Sequence, residues 1–365
     1  MIFPIDRKKT VFMSFLGKSY SDNPRAISEA LHSADSTCKI IWVFKDVETE
    51  KKIVPDYVKC VRYGSPAMFW HMATAGVWVD NYRKGFETKK RNGQYYIQTW
   101  HGDRGFKNIP QTSAQLNGDY SECYERKYCD LAIAGSDFGA KTYREALHFD
   151  GEILQTGCPR NDILLNGSDS TVAQFKARYK IPQAAKILLY APTFRDSNKS
   201  DSQDAKELDF AEIIAALEKK TGNDWCVVLR GHTGRTLNIS NGSVLERKLF
   251  DATDYEDTKD VLLSSDALIT DFSSLAGDFA LLKRPLFLDT SGLNKFAEED
   301  RTFIFDIRRS PFFFADSQQE LINIIDALDL SAVPDNCKKI LDFFGTTETG
   351  HSAEDIVKRI LERQN

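Results

Sequence analysis

Four clusters of polar residues carry the chemistry open to this sequence. The first is Trp100-His101-Gly102-Asp103-Arg104-Gly105-Phe106-Lys107. A histidine with a pKa near neutrality can take a proton from an attacking hydroxyl, and its glycines let the backbone approach a ligand closely. Asp103, Arg104 and Lys107 add charge for an acceptor. The plainer alternative is a glycine-rich turn in which His101 only caps a strand. The second cluster, Arg230-Gly231-His232, sets a guanidinium and an imidazole two residues apart. An extended backbone would put both on one face, and arginine grips phosphate oxygens with two parallel hydrogen bonds. A surface arginine and a solvated histidine in a turn would read the same way.

The third cluster, Asp271-Phe272-Ser273-Ser274-Leu275-Ala276-Gly277-Asp278, reads as a strand end, a serine turn and a helix start. Ser273, Ser274 and free helix N–H groups suit a phosphate, and Asp278 could orient a ribose or a serine. Capping alone also explains the serines. The fourth, Ala191-Pro192-Thr193-Phe194-Arg195, adds Thr193 and Arg195 as candidates for a diphosphate. The sequence has no DxD, HExxH or GxxxxGK[ST] pattern. The expectation is therefore a donor charge neutralised by arginine, histidine and helix ends, without an obligatory cofactor. A loosely held magnesium ion (Mg2+) stays compatible.

The elements that must position these groups alternate along the whole chain. Each cluster directly follows a strand-forming run: Tyr95–Thr99, Val227–Leu229, Ala267–Thr270 and Ile187–Tyr190, respectively. Further strands are expected at Val11–Phe15, Lys39–Phe44, Val77–Val79, Leu131–Ala134, Ile153–Thr156 and Leu286–Leu288. Helices are expected at Asn23–His32, Asp137–Leu147, Phe210–Lys220, Leu275–Leu282 and Ser352–Glu362. This alternation is the pattern of parallel α/β architecture, where ligands bind outside the carboxyl ends of strands. With 365 residues the chain fits two compact α/β domains. A turn-rich boundary near residue 168 gives an acceptor-side unit, 1–168, and a donor unit, 169–365. The expected arrangement is two doubly wound sheets facing across a cleft, with Phe312-Phe313-Phe314 packed between them.

The bulk properties narrow the function classes. A net charge of −5 gives no reason to expect a nucleic-acid partner. No apolar run reaches the ~20 residues needed to cross a bilayer, and no signal peptide is recognisable. The expected location is the cytosol, with membrane contact only from outside. Seven cysteines without a CxxC pair point to free thiols. Between Tyr82 and Asn108, seven basic residues face two acidic ones, a local excess of five positive charges. Such a stretch is either a solvated loop or a surface for anionic headgroups or a phosphorylated acceptor.

Ordered stretches along the chain carry a family resemblance. They are Gly17-Lys18-Ser19-Tyr20-Ser21-Asp22-Asn23-Pro24, Ala73–Asn81, Gln98-Thr99-Trp100-His101-Gly102 and Gly157-Cys158-Pro159-Arg160-Asn161-Asp162. Tyr190–Arg195, Thr270–Ser274, Asp278-Phe279-Ala280 and Lys283-Arg284-Pro285 follow. In these the chain resembles the CDP-glycerol glycerophosphotransferases, bacterial enzymes that build teichoic acids and related capsular polymers. The resemblance implies a GT-B-like pair of Rossmann-type domains, with the acceptor in the first and CDP-glycerol, or a related CDP-polyol, in the second. It implies that His101 is the catalytic histidine and that His232, in the donor-phosphate motif, is its catalytic companion. The implied acceptor is a lipid-linked glycan or a polyol-phosphate polymer, reached from the inner face of the cell membrane. The chain departs from the family pattern at Asp103, where threonine is usual, at Thr233, where proline is usual, and at Phe272, where tyrosine is common. Two rival readings use the same scaffold: a UDP-sugar glycosyltransferase or epimerase, and a non-catalytic nucleotide- or glycan-binding protein.

Overall fold

The computed structural model describes residues 3–84, 89–106, 124–145, 147–193, 208–231, 247–294 and 302–364. The chain forms two units. The first comprises Met1–Asp103, Ile109–Asn166 and Gly345–Asn365, and the second Arg104–Asn108 and Gly167–Phe344.

The first unit holds a seven-stranded sheet of β1 (Asp6–Met13), β2 (Lys39–Phe44), β3 (Lys59–Arg62), β4 (Ala75–Asp80), β5 (Tyr95–Gln98), β6 (Leu131–Ile133) and β7 (Glu152–Leu154). Their order is β3-β2-β1-β4-β5-β6-β7, with every registered pair parallel. Both faces are buried, so the strands run apolar without a polar side. Phe12, Trp42, Phe44, Val77, Val79 and Ile97 line one face, and Val11, Met13, Ile41, Val43, Trp78 and Tyr96 the other. The order reverses between β1 and β4, and this switch point is where a doubly wound sheet opens a crevice for ligands.

The second unit repeats the plan with β8 (Lys186–Ala191), β9 (Trp225–Leu229), β10 (Leu249–Asp251), β11 (Ala267–Thr270), β12 (Leu286–Asp289) and β13 (Phe313–Ala315). Their order is β10-β9-β8-β11-β12-β13, again parallel, with the switch point between β8 and β11. The short strands β3, β10 and β13 were not expected; each is an edge or near-edge strand of three or four residues, too short to show a pattern.

One expectation is corrected. The terminal helix Ser352–Gln364 does not belong to the second unit. Ile356, Val357 and Ile360 complete the core of the first sheet, while Glu348 accepts from the Cys158 N–H at 2.9 Å and from Asn161 Nδ2 at 2.7 Å. The contacts given for the three phenylalanines lie within the second unit. Phe313 and Phe314 begin edge strand β13, and Phe312 is buried against Phe106 and Phe344 within the second unit.

Candidate active site

His101 lies three residues beyond β5, beside the switch point of the first sheet. Its Nδ1 lies 2.7 Å from the carbonyl oxygen of Asn81, the residue that follows β4. A carbonyl can only accept, so Nδ1 carries a proton, and in the neutral ring the lone pair is on Nε2. This is the tautomer a general base needs.

The loops that hold this geometry are over-determined. Phe15, Leu16, Asp22 and Trp100 all have φ in the left-handed region, at 46°, 57°, 64° and 51°. Such conformations cost roughly 1–3 kcal/mol each and persist where surrounding contacts enforce them. Here the Trp100 N–H donates to Gln98 Oε1 at 2.9 Å, and Asn23 Nδ2 donates to the Trp100 carbonyl at 3.1 Å. Asn81 is fully buried: its Oδ1 accepts from the Phe15 N–H, and its Nδ2 donates to Ser14 Oγ and Asp22 Oδ1. Arg160 Nη1 donates to Asp22 Oδ2 at 3.1 Å, and the Arg160 N–H donates to Asn23 Oδ1 at 3.0 Å. Gly17 (φ 78°) lets the β1 loop touch β2, because a Cβ there would sit 3.2 Å from the Val43 carbonyl.

Three aromatic rings surround the imidazole. Tyr82 and Trp100 stack with it at centroid distances of 5.4 and 4.9 Å, and Phe15 meets it edge-on at 5.5 Å. Burial lowers the His101 pKa below its ordinary 6.5; the Asn81 carbonyl and Asp22 oppose that shift, and Arg160 adds to it. His101 is therefore neutral, and competent as a base, at neutral pH.

Two of the other acceptor-side candidates, Asp103 and Arg104, make buried contacts. Asp103 is buried, and its Oδ1 accepts the Gly135 N–H at 2.8 Å. The same oxygen lies so close to Gly139 that a Cβ there would overlap it. Asp103 thus pins the turn from β6 into the helix Asp137–Glu145. Arg104 belongs with the second unit, is 0% exposed, and pairs with Asp278 Oδ1 at 2.5 Å. Lys107 lies outside the described residues.

Thr193, Asp271, Ser273 and Ser274 gather at the switch point of the second sheet, beyond β8 and β11. The Thr193 N–H donates to Asp271 Oδ1 at 2.7 Å, and the Thr193 hydroxyl donates to the same oxygen. Ser273 Oγ accepts the Leu275 N–H at 3.3 Å, which is a capping contact. Ser273, Ser274 and Thr193 remain half-buried. Arg230, expected to grip phosphate, makes its given side-chain hydrogen bonds within its own unit. Its Nη1 donates to the carbonyls of Ala252 and Tyr255, and its Nη2 to Tyr255 and Thr258 Oγ1, at 2.8–3.1 Å. Both terminal nitrogens are engaged in holding the segment after β10. Asp278 is 2% exposed and bridges Arg104 and Lys259, each at 2.5 Å. Arg195 and His232 lie outside the described residues.

Spacing alone missed Asn81, Asp22, Asn23, Arg160 and Tyr82, which build the His101 pocket from three separate segments. All but Tyr82 fall within the stretches that carried the family resemblance, and those stretches were the available signal.

Known proteins resemble this chain along nearly its whole length. The family model described as CDP-Glycerol:Poly(glycerophosphate) glycerophosphotransferase matches residues 1–362. The teichoic acid poly(glycerol phosphate) polymerase of Bacillus subtilis is 30% identical over 376 residues, covering 99% of this chain and 50% of that protein. The chain thus spans about half the length of that relative. The teichoic acid glycerol-phosphate transferase of Staphylococcus aureus is 31% identical over 332 residues, 88% of this chain and 84% of that protein. The solved wall teichoic acid polymerase TagF superposes with a TM-score of 0.84 at 26% identity, covering 99% of this chain and 90% of that one. The GT-B-like class of two doubly wound units therefore holds. This chain belongs to the CDP-glycerol:poly(glycerophosphate) glycerophosphotransferase family.

Proposed function

We propose that this chain transfers glycerol phosphate, or a close polyol phosphate, from CDP-glycerol to an acceptor hydroxyl and releases CMP. The observation that carries the reading is the His101 tautomer, a neutral imidazole whose Nδ1–H is committed to Asn81 and whose Nε2 is free to accept a proton. Nε2 takes the hydroxyl proton as the oxygen attacks the β-phosphorus; the new O–P bond forms as the bond to the CMP oxygen breaks, and CMP leaves with the bonding pair. Such transfers draw their rate mainly from positioning and electrostatics. Thr193, Ser273 and Ser274 are offered as donor contacts in the second unit, with Arg195 and His232 as the charged partners of the diphosphate. The solved TagF set includes a histidine-to-asparagine variant soaked with CDPG, which supports a CDP-linked donor here. The scheme uses no obligatory cofactor and remains compatible with a magnesium ion.

The test is CMP release with a panel of CDP-glycerol, CDP-ribitol and UDP-sugars. His101→Asn is expected to lower turnover about 10²–10⁴-fold while donor affinity by calorimetry holds. Full turnover in that variant would sink the assignment, and turnover of UDP-sugars alone would favour the rival transferase.

The acceptor is proposed to be lipid-linked or polymeric and met at the membrane face. No helix of the described residues is long and apolar enough to cross a membrane. The basic stretch supports contact less than its composition suggested, because Lys84 is buried on Asp80, Lys90 pairs with Asp130, and Arg104 is buried. A better candidate is the segment around the helix Pro66–Thr74, where Tyr63, Phe69 and Trp70 are 36–46% exposed near Lys45 and Arg62. Interfacial aromatics beside cations suit a headgroup layer. Phe69→Ser with Trp70→Ser is expected to abolish co-sedimentation with anionic vesicles; unchanged sedimentation would exclude this face.

A further inference from the structure

A general base that accepts a proton becomes a cation, and a half-buried imidazolium needs something to stabilise it. In many hydrolytic sites a carboxylate on Nδ1 does this. Here the Nδ1 partner is a neutral carbonyl, that of Asn81. The charged groups felt by His101 among the described residues are Asp22, at the start of the helix Asp22–Ala34, and Arg160, in the turn Pro159–Asn161. They act on the ring in opposite directions and are paired with each other at 3.1 Å. The rest of the surroundings is aromatic. Tyr82 lies nearly parallel to the imidazole (13°) at 5.4 Å, Trp100 at 26° and 4.9 Å, and Phe15 at 66° and 5.5 Å.

Rings at these distances present the geometry of a cation cage, in which π faces attract a cation held within about 6 Å. Tyr82 is the informative member. It is 39% exposed, so it forms no part of the core. Its backbone is nevertheless fixed, because Gln98 Nε2 donates to the Tyr82 carbonyl at 3.1 Å while Gln98 Oε1 holds the Trp100 N–H. One buried glutamine therefore sets both stacked rings.

We propose that Tyr82 is a positioning residue that, with Trp100, stabilises the imidazolium form of His101 through its π face, in place of the carboxylate of a triad. The proposal rests on His101 being the base, but it concerns the ring's titration and is readable without turnover. Tyr82→Leu keeps an apolar cover over the imidazole and removes the π face. Tyr82→Phe keeps the face and removes only the hydroxyl.

The test is NMR titration of His101 in full-length protein carrying [13Cε1]-histidine, with the resonance assigned by its loss in His101→Asn. Tyr82→Leu is expected to lower the His101 pKa by about 0.5–1 unit, and Tyr82→Phe to leave it unchanged. The acid limb of kcat/KM moves with it for a substrate that turns over. An unchanged pKa in Tyr82→Leu, with the thermal unfolding midpoint preserved, would overturn the proposal. So would an equal drop in Tyr82→Phe, which would assign the effect to the hydroxyl. If His101 shifts as stated but no CDP-linked donor is consumed, the cage stands and the functional reading fails.

Discussion

At His101 the proton inventory is set by one hydrogen bond and by burial. Because its pKa lies below 6.5, activity is expected to stay level from neutrality down and then fall as Nε2 protonates. The acid limb of a kcat/KM profile should thus have its midpoint below 6.5; a midpoint above 7 would mean that another group controls it. The buried group Arg104–Asp278–Lys259 yields a second residue-scale expectation. One carboxylate is shared by two buried cations. Asp278→Asn strips the counter-charge from both, whereas Arg104→Met leaves Asp278 paired with Lys259. Breaking a buried pair costs about 3–5 kcal/mol, so Asp278→Asn should lower the unfolding midpoint more than Arg104→Met. The reverse order would show that the shared carboxylate is not the hub.

Each candidate group sits where its element ends. The Asn81 carbonyl follows β4, His101 follows β5, and Thr193 and Asp271 follow β8 and β11, at the two places where strand order reverses. The terminal helix carries a pH-dependent expectation of its own. Asp162 accepts the Ser352 and Ala353 N–H groups at 3.0 and 2.8 Å, and burial above all raises its pKa from 3.8 to about 6. A folded-state pKa above the unfolded one means that the folded protein binds the proton more tightly. The stabilisation is complete below the unfolded value and is lost as pH rises through about 6. Stability measured by urea unfolding should therefore carry a falling component between about pH 4 and 6 that Asp162→Asn removes. An unchanged slope in that variant would assign the effect to another carboxylate.

Over the whole molecule, the chain leaves its first unit, builds the second, and returns to finish the first with the helix Ser352–Gln364. Ile356, Val357 and Ile360 could not announce that return, since an amphipathic stripe shows that a helix buries one face but not which sheet receives it. Long apolar runs such as Lys39–Phe44 and Ile187–Tyr190 were legible as buried parallel strands, because both their faces are covered and no polar position interrupts them. The three-residue strands β10 and β13 were not, for want of length.

The same division holds for the site. Sequence by itself determined the α/β class, the strand ends that carry the candidate polar clusters, the candidate histidine, and the ordered motifs of the family, since all of these depend on residue type and local spacing. Tertiary structure decided which charged side chains are already occupied. Arg230, Asp103, Arg104 and Asp278 have the composition of a binding site, and the contacts given for each lie within its own unit. It also brought Asn81, Tyr82, Asp22 and Arg160 to His101 from distant positions. The reason is physical: a polar group's partner is set by burial and by neighbours through space, and neither is encoded in the spacing of residues along the chain.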